Sequence, residues 1–327
     1  MNTGFLARLA GLILAAMLVT PAQAQESAAR GFPSRPIRFV TGNQTGGGTD
    51  LLARAVSQRL SERLGQPVVV ENKPGADGII AADYVAKSAP DGYTLLVGTD
   101  GQMTLNPGLY ARVPYDPVKD FIPVIQLSSN PVVFAVHPKF PAKTMADLIA
   151  MAKARPGTLF YASGAASFRV TTELFKLQTG TNIVHVPYKG GAPSVAAAIA
   201  GEVPLVVTAT SSVLAQLRAG QVRALAVTSP RRTPLLPDVP TMAEAGVANF
   251  EVVTMQGLFA PARTPHAIVV KLYNELSVVL KQNDVKERFA FLGLDTGGMA
   301  SAEYGALLEA NLAKWTKLLR DLNIRAQ

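Results

Sequence analysis

The sequence predicts an α/β fold of two lobes, each a mixed, mostly parallel sheet flanked by helices, with a cleft between the lobes. Strand-like and helix-like patterns alternate over residues 36–98, and a second alternating series starts near residue 128. Such alternation is typical of sheets whose parallel strands are joined by crossing helices. The length of 327 residues also favours two domains over one.

The first series opens with an apolar strand at Pro36–Val40, followed by a helix expected to start at Asp50 and end at Gly65. Within that helix an apolar residue recurs at every fourth position, which places one apolar stripe against the sheet. The stripe consists of Leu52, Val56, Leu60 and Leu64. The further elements of this lobe are strands at Val68–Glu71 and Tyr93–Gly98 and a helix over Ile79–Lys87.

A crossover to the second lobe is predicted where two apolar runs, Val124–Leu127 and Val132–Val136, flank the turn-like segment Ser128–Pro131. We therefore expect lobe 1 to comprise residues 25–127 and 251–327, and lobe 2 to comprise residues 128–250.

In the second lobe, Thr144 followed three residues later by Asp147 has the spacing of a capping box. A strand at Leu159–Tyr161 leads into a loop of small residues, Ala162–Ser167, and then into another helix. On that helix Val170, Leu174 and Leu177 are expected to share a buried face. Strands at Pro204–Thr208 and Ala224–Thr228 complete the second sheet.

The C-terminal part is expected to return through a strand at Gly257–Ala260 and pack on lobe 1. Thr264 is predicted to cap a helix whose first residue is Pro265. A last helix begins near Ser301, and its spacing places Trp315 in the core. The apolar face of the first of these helices is Ile268, Leu272, Leu276 and Val279.

Composition excludes several classes of function. The chain has no cysteine, which removes disulfides and thiolate metal sites, and its three histidines are far apart in sequence. The formal charge of +8 is scattered along the chain, whereas nucleic-acid binders usually gather basic residues on one face. We therefore expect no nucleic-acid partner, no metal and no cofactor.

The N-terminus has the pattern of a secretory signal peptide. A basic start is followed by the apolar run Leu9–Thr20 and by an Ala-x-Ala sequence that ends at Ala24. The run is shorter than the roughly 20 residues that a spanning helix needs. We expect residues 1–24 to be removed by cleavage after Ala24, and the mature protein to be periplasmic.

The sharpest local motif is the glycine-rich segment Thr45–Asp50, which lies between a strand and a helix. Glycines let a backbone approach a ligand closely, and the N–H groups at a helix start favour an anion. The segment lacks the third glycine of a dinucleotide fingerprint and the Gly-Lys-Ser/Thr of a Walker loop. Two interpretations stay open: carboxylate capture by Gly46, Gly47, Gly48, Thr49 and Asp50, or a tight turn that needs glycine only for its dihedral angles.

A second loop, Ser163–Ser167, makes the same case through small residues and hydroxyl groups before a helix. Ser163 lacks the sequence context of a nucleophile elbow. Arg169, on the first turn of that helix, either extends into solvent or faces the cleft and pairs with a carboxylate. His185 has no acid or cysteine nearby in sequence, so a structural role is favoured.

Taken together, these segments resemble the Bug family of tripartite tricarboxylate transporter substrate-binding proteins over essentially the whole mature chain. The matching segments are PIRFV, GGGTD, ENKPGADG, PDGYTLLVGT, LYARVPYDPVKDFIPV, HVPYKGGAPSVAAAIAGEV, RALAVTSPRRTPLLPDVPTMAEAG and GLFAPARTP. The resemblance implies a periplasmic-binding-protein-like fold whose lobes close on a dicarboxylate, amino acid or aromatic acid.

By position, the resemblance implies ligand contacts in the Gly46–Asp50 loop and in the facing loop with Ser163, Ala166 and Ser167. Asn43, Thr45 and Arg169 are further candidates for ligand contact, and Thr99 and Thr208, at strand ends in the two lobes, are weaker ones. The chain also departs from the family pattern. Gly42 and Asn43 replace a proline and an aromatic, Arg169 lies near the usual place of a histidine, and Met255 replaces a common tryptophan.

The sequence therefore predicts a monomeric periplasmic solute-binding protein that captures a small carboxylate for the membrane subunits of a tripartite transporter. A second hypothesis is a ligand sensor whose closed form binds a signalling protein. A secreted enzyme is the third and is disfavoured, because no nucleophile–base pair, metal cluster or complete nucleotide motif appears in the sequence.

Overall fold

The structure, a computed structural model, describes residues 31–325, so the predicted signal peptide lies outside the described residues. It is a mixed α/β fold whose strands form one sheet path in the order β2-β1-β3-β9-β4-β7-β5-β6, with β8 and β10 each paired to β4. The strands are β1 (Ile37–Thr41), β2 (Val68–Asn72), β3 (Thr94–Thr99), β4 (Phe121–Val136), β5 (Leu159–Ser163), β6 (Ile183–Pro187), β7 (Leu205–Ala209), β8 (Arg223–Val227), β9 (Val253–Pro261) and β10 (Asp295–Thr296).

Helices cover both faces of this sheet path. They are α1 (Gly48–Leu64), α2 (Ile79–Ala86), α3 (Asn106–Leu109), α4 (Met145–Ala154), α5 (Ala166–Thr179), α6 (Gly191–Ala200), α7 (Thr210–Arg218), α8 (His266–Val279), α9 (Asn283–Phe291) and α10 (Ser301–Asp321). A short 3₁₀ segment at Ala76–Gly78 precedes α2, and a π-helical segment at Gly101–Leu105 precedes α3. Between residues 31 and 325 no helix combines the length and apolarity needed to cross a membrane.

The two-lobed, mixed-sheet prediction is confirmed. In the first lobe β1 pairs in parallel with β2 and β3, and β3 then pairs antiparallel with the returning strand β9. In the second lobe β5 pairs in parallel with β6 and β7. The parallel strands direct their carboxyl ends, and hence their loops, toward one edge in each lobe.

The predicted crossover is one continuous strand. The segment Ser128–Pro131, expected to interrupt two apolar runs, lies inside the 16-residue strand β4. Its first part pairs with β9 from Phe121 to Pro131, and its last part pairs with β7 from Val132 to Val136. Polar residues are tolerated there because paired neighbours satisfy them, as Asn130 shows by donating to Ser211 Oγ at 2.8 Å.

Helix α1 begins two residues before the expected start. Gly47 is the N-cap, and Asp50 lies inside the first turn, so the expected start at Asp50 is two residues late. The Asp50 carboxylate instead accepts the N–H of Gly46 at 2.9 Å, which satisfies a donor just ahead of the helix. The predicted apolar stripe is confirmed at Leu52, Val56 and Leu60, which are fully buried.

The second lobe confirms one helix prediction and corrects another. Thr144 caps α4, and a full capping box forms with Asp147. On α5, Val170 and Leu174 are buried, but Leu177 is 63% exposed. The assignment of Leu177 to the buried face is therefore wrong. Seven residues are almost two full turns, so Leu177 faces the same way as Val170, but it lies near the C-terminal end of α5, where its side chain is left exposed.

The C-terminal helices also differ from expectation. Helix α8 begins at His266 with Pro265 as its N-cap, so the predicted cap at Thr264 is wrong, whereas the four apolar positions of its face are buried. Helix α10 was expected to pack on lobe 1. Its Tyr304 does so, but Trp315 and Leu319 share a buried cluster with Phe134 of the second sheet. Helix α10 therefore joins both lobes.

The contact between α10 and β9 depends on a glycine. A Cβ on Gly257 would overlap the ring of Tyr304, which is fully buried. We therefore expect Gly257→Ala to lower the free energy of unfolding by about 1–3 kcal/mol through overpacking. The measurement is chemical denaturation of the wild-type and variant proteins.

The matched control is Gly305→Ala, one residue after Tyr304 on α10. A Cβ there would meet only Pro123 at an ordinary 3.4 Å. Alanine is favoured over glycine inside a helix, so this variant should be more stable than wild type by about 0.5–1 kcal/mol. Equal effects of the two variants would contradict the packing described for Gly257.

Candidate ligand-binding site

A cleft of about 600 Å³ lies between the lobes, at the carboxyl ends of parallel strands from both sheets. This is the usual position of ligands in open α/β sheets. The first lobe contributes the loops after β1 and β2 and the segment that follows β3, and the second lobe contributes the loop after β5. The lining residues are 42–44, 74–78, 99, 101, 102, 105, 106, 109 and 164–167.

The first-lobe loops are held together by Gln102, a side chain that is 2% exposed. Its Nε2 donates to the carbonyl oxygen of Gly78 at 2.8 Å, and its Oε1 accepts the N–H of Thr99 at 2.8 Å. Asn106 adds a bond from its Nδ2 to the carbonyl oxygen of Asp77 at 3.1 Å. Two buried amide side chains therefore fix the wall of the cleft.

The loop after β2 approaches the loop after β1 closely enough to require glycine. A Cβ on Gly42 would lie 2.5 Å from the Cα of Gly78. In the same loop Ala76 and Asp77 have positive φ angles of 46° and 50°. Non-glycine residues in this region are uncommon and concentrate at ligand sites.

The Gly46–Asp50 segment lies outside the lining of the cleft, and its first two N–H groups already have partners within the protein. The N–H of Gly46 donates to Asp50, and the N–H of Gly47 donates to the carbonyl oxygen of Gln44 at 3.0 Å. Asp50 is 1% exposed and also accepts from Arg54 and Asn72. Burial alone would raise the pKa of Asp50, but these hydrogen bonds hold it below its ordinary value.

The Asp50 network supports the cleft indirectly. Asn72 donates one Nδ2–H to Asp50 and another to the carbonyl oxygen of Asn43, which lines the cleft. Of the predicted first-lobe contacts, Asn43 and Thr99 line the cleft. The others lie outside its lining: Thr45, Gly46, Gly47, Gly48, Thr49 and Asp50. The sequence-based assignment of these residues as ligand contacts stays a prediction.

On the second lobe the cleft is lined by the start of α5. Ala165 is the N-cap with extended φ and ψ angles, and its side chain cannot cap the helix. Residues 166 and 167 therefore begin the helix beside the cleft, and the carbonyl oxygen of Ala165 already accepts from Phe168 and Arg169. The backbone N–H groups of this first turn, with the positive end of the helix dipole, favour an anion. Of the predicted contacts, Ala166 and Ser167 line the cleft here.

Ser163 and His185 form a pair that sequence reasoning did not find. Ser163 Oγ lies 2.8 Å from His185 Nε2, because parallel strands β5 and β6 place the two residues near the same end. Burial and the nearby Arg169 guanidinium lower the pKa of His185, which keeps the ring neutral. Across residues 31–325 no carboxylate is hydrogen-bonded to this ring, so the pair lacks the third group of a catalytic triad.

Ser163, Arg169 and Thr208 lie outside the lining of the cleft. Ser163 is 1% exposed and Thr208 is fully buried in β7. Arg169 is half-buried beside His185, and within the described part of the chain no carboxylate forms an ion pair with it. Its role in ligand binding stays a prediction.

The cleft is lined almost entirely by neutral groups. Among the lining residues, the charged side chain is Asp77, whose carboxylate accepts the O–H of Tyr110 at 2.7 Å. The donors available to a ligand are side-chain amides, hydroxyl groups and backbone N–H groups. No group of three or more histidine, aspartate or glutamate residues that could hold a metal occurs within residues 31–325.

Sequence reasoning missed Gln102 and Asn106, the residues that fix the loops. The polar residues that follow β3 were the available signal, since strand ends at one sheet edge converge.

Sequence reasoning also missed Asp100, which follows Thr99. Burial raises the pKa of Asp100 to about 7, and the N–H groups of Met255 and Gly101 offset this only partly.

This shift predicts a pH-dependent stability. The folded-state pKa of Asp100 lies above that of an unfolded aspartate, so the folded state holds the proton more tightly between these two values. The free energy of unfolding should therefore fall as pH rises from about 4 to about 7. Asp100→Asn lacks this titration and should exceed wild type in Tm by several degrees at pH 8, with a smaller difference at pH 4. A difference that stays constant over this range would contradict the shift.

Comparison with known proteins identifies the family. A family model described as the tripartite tricarboxylate transporter family receptor matches residues 52–324. Protein BugT of Bordetella pertussis is 34% identical over 94% of this chain and 96% of its own length.

Two solved structures share both sequence and fold with this chain. Rpa4515 of R. palustris, determined with adipate, is 38% identical with a TM-score of 0.76, covering 88% of this chain and 97% of the other. MatC of Rhodopseudomonas palustris, determined with bound malate, is 32% identical with a TM-score of 0.73, covering 88% and 100%. The chain therefore belongs to the tripartite tricarboxylate transporter receptor family and is a receptor of the Bug type.

Proposed function

We propose that this protein binds a small carboxylate in the cleft between its lobes and delivers it to the membrane subunits of a tripartite transporter. The observation that carries the proposal is the start of α5, which lies on the cleft without a side-chain cap. A carboxylate there accepts from the N–H groups of the first turn and from Ser167. The binding of adipate and of malate by two relatives of the same fold supports this ligand class.

Neutral donors on the first lobe complete the proposed site. Asn43, Thr99 and Gln102 lie on the wall that faces the second-lobe loop across the cleft. A second carboxylate, or a polar group of an amino acid or aromatic acid, is placed against these side chains. No nucleophile, metal or cofactor is required, so the ligand is released unchanged.

Closure of the lobes is the proposed means of capture. Lobe 1 (residues 25–127 and 251–327) and lobe 2 (residues 128–250) would move about β4 and β9, which run between them. A ligand that contacts both walls binds the closed form better and shifts the population toward it. Export through the signal peptide at residues 1–24 places this cycle in the periplasm. Delivery to a transporter is favoured over a sensor because the matching family model describes a transporter receptor.

The proposal is tested by thermal shift with adipate, malate and acetate, followed by calorimetry. A ligand present at 100 times its Kd stabilises the folded state by about 2.7 kcal/mol. At least one of the dicarboxylates should raise Tm, and the recovered ligand should be chemically unchanged. If no carboxylate raises Tm, the proposed ligand class is wrong.

The site is tested by Ala166→Asp, which places a negative charge at the first residue of α5. An acidic residue in the first turn stabilises a helix, so the free protein should keep or slightly raise its Tm. The same charge repels a bound carboxylate, and we expect the affinity to fall at least about tenfold. Ala166→Asn is the control of equal size and should retain most of the affinity. If Ala166→Asp kept full affinity, the carboxylate would not bind at the start of this helix.

Arg169 is tested by comparing acids of one and two charges. If the guanidinium reaches the ligand when the lobes close, Arg169→Ala should weaken adipate by roughly tenfold, as expected for a lost charged hydrogen bond. The affinity for acetate should fall much less, and Arg169→Lys should recover part of the affinity for adipate. Equal losses for both acids would assign Arg169 to the surface near His185.

A further inference from the structure

A second cavity, larger than the cleft, opens beside the strands that join the lobes. Its volume is about 830 Å³, and it shares no lining residue with the cleft. Its walls come from β4 and β9, from the segment 229–235 of the second lobe, and from α9, β10 and α10 of the first. We call it the rear pocket. Its volume lies within the range of small-molecule sites.

Helix α10 contributes one stripe to the rear pocket. Leu307, Asn311 and Lys314, at helical spacing, line this cavity. The residues that line the cleft lie on other elements, so the two cavities can be tested separately.

The inner surface of the rear pocket is apolar. Met255 and Leu294 are almost fully buried, and Val253, Met299 and Leu307 are half-buried. Two of these five side chains are methionines, whose flexible thioethers adapt to ligands of different shape. This surface suits an aliphatic chain more than a polar one.

Cations surround the opening of the rear pocket. Arg231, Lys286 and Lys314 line it, and within residues 31–325 none of the three has a carboxylate partner. Arg232 also lines the pocket but is paired with Glu244 at 2.9 Å. Lys314 donates to the carbonyl oxygen of Glu251 at 3.1 Å, and partial burial lowers the pKa of its ammonium group. A carboxylate would restore a charge partner to these groups.

Two acidic residues line the same pocket, against four basic ones. Asp295 accepts the O–H of Thr233 at 2.9 Å, and burial raises its pKa above the ordinary value. Glu251 is exposed and lies near Lys314. The lining therefore keeps an excess of positive charge around an apolar interior.

We propose that the rear pocket is a second ligand site, for an amphipathic monocarboxylate with an aliphatic body, such as a medium-chain fatty acid. The chain packs on Met255, Leu294 and Met299, and the carboxylate pairs with Lys314 and Arg231. The proposal is independent of the function assigned to the cleft, because the two cavities have separate linings. It commits to a small molecule, and a protein partner is an outcome of the test.

Tryptophan fluorescence can report binding at this site. Trp315 is the single tryptophan of the sequence, and Lys314 Nζ lies 4.6 Å from the centre of its ring. Octanoate bound at Lys314 should change Trp315 fluorescence, with saturation, and calorimetry should give the same Kd. Octanol, which has the chain without the charge, should bind several-fold more weakly.

Variants separate the rear pocket from the cleft. Lys314→Gln and Arg231→Gln should each lower the affinity for octanoate by roughly fivefold, as expected for the loss of a partly exposed charge pair. The matched control is Lys317→Gln, one turn further along α10 and outside the pocket, where Lys317 pairs with Asp321. This control and Ser167→Leu, which narrows the cleft, should leave octanoate affinity unchanged.

Three results would overturn the proposal. The first is that octanoate changes neither Trp315 fluorescence nor the calorimetric heat. The second is that octanoate affinity falls with Ser167→Leu and persists in Lys314→Gln, which would place octanoate in the cleft. The third is that Lys314→Gln converts a dimer into a monomer in sedimentation, which would make the rear pocket an interface between two copies of the chain.

Discussion

The pairing of β4 with β9 is the constraint on which the two-lobed arrangement depends. From Phe121 to Pro131 the two strands run antiparallel, and β4 then continues into the second sheet without a break. Hydrogen bonds between strands fix the register, and a shift by one residue would turn every side chain to the other face. The same strands form part of the wall of the rear pocket, and they join the two lobes whose loops line the cleft.

Within each lobe, two glycines allow the loops at the cleft to meet. Gly42 lies against Gly78 in the first lobe, and a Cβ on Gly164 would overlap the backbone of Gly190 in the second. Both contacts bring backbone to backbone at the ends of parallel strands. Buried side chains then hold the loops: Gln102 in the first lobe and the Ser163–His185 pair in the second. The cleft is therefore formed by backbone that is positioned before any ligand arrives.

The glycine-rich segment can be located from the sequence, but its hydrogen-bond partners cannot. Its position between β1 and α1 is as the sequence indicates, but the N–H of Gly46 is used by Asp50 and that of Gly47 by Gln44. The segment acts on the cleft through Asn72, which holds the carbonyl oxygen of Asn43. Carboxylate capture and a tight turn both stay open as interpretations, and neither includes this arrangement. Hydrogen bonds between loops that are far apart in sequence cannot be derived from local pattern.

The sequence by itself determined the fold class, most elements within a few residues, and the apolar faces of α1 and α8, because local periodicity reports burial directly. The family resemblance in the sequence also indicated a site between the strand ends of the two lobes. Only the tertiary structure decided that β4 is continuous, that α10 reaches both lobes, and that the linings of the cleft and the rear pocket are separate. These features arise from contacts between distant segments, whose energies depend on shape and distance more than on any local pattern.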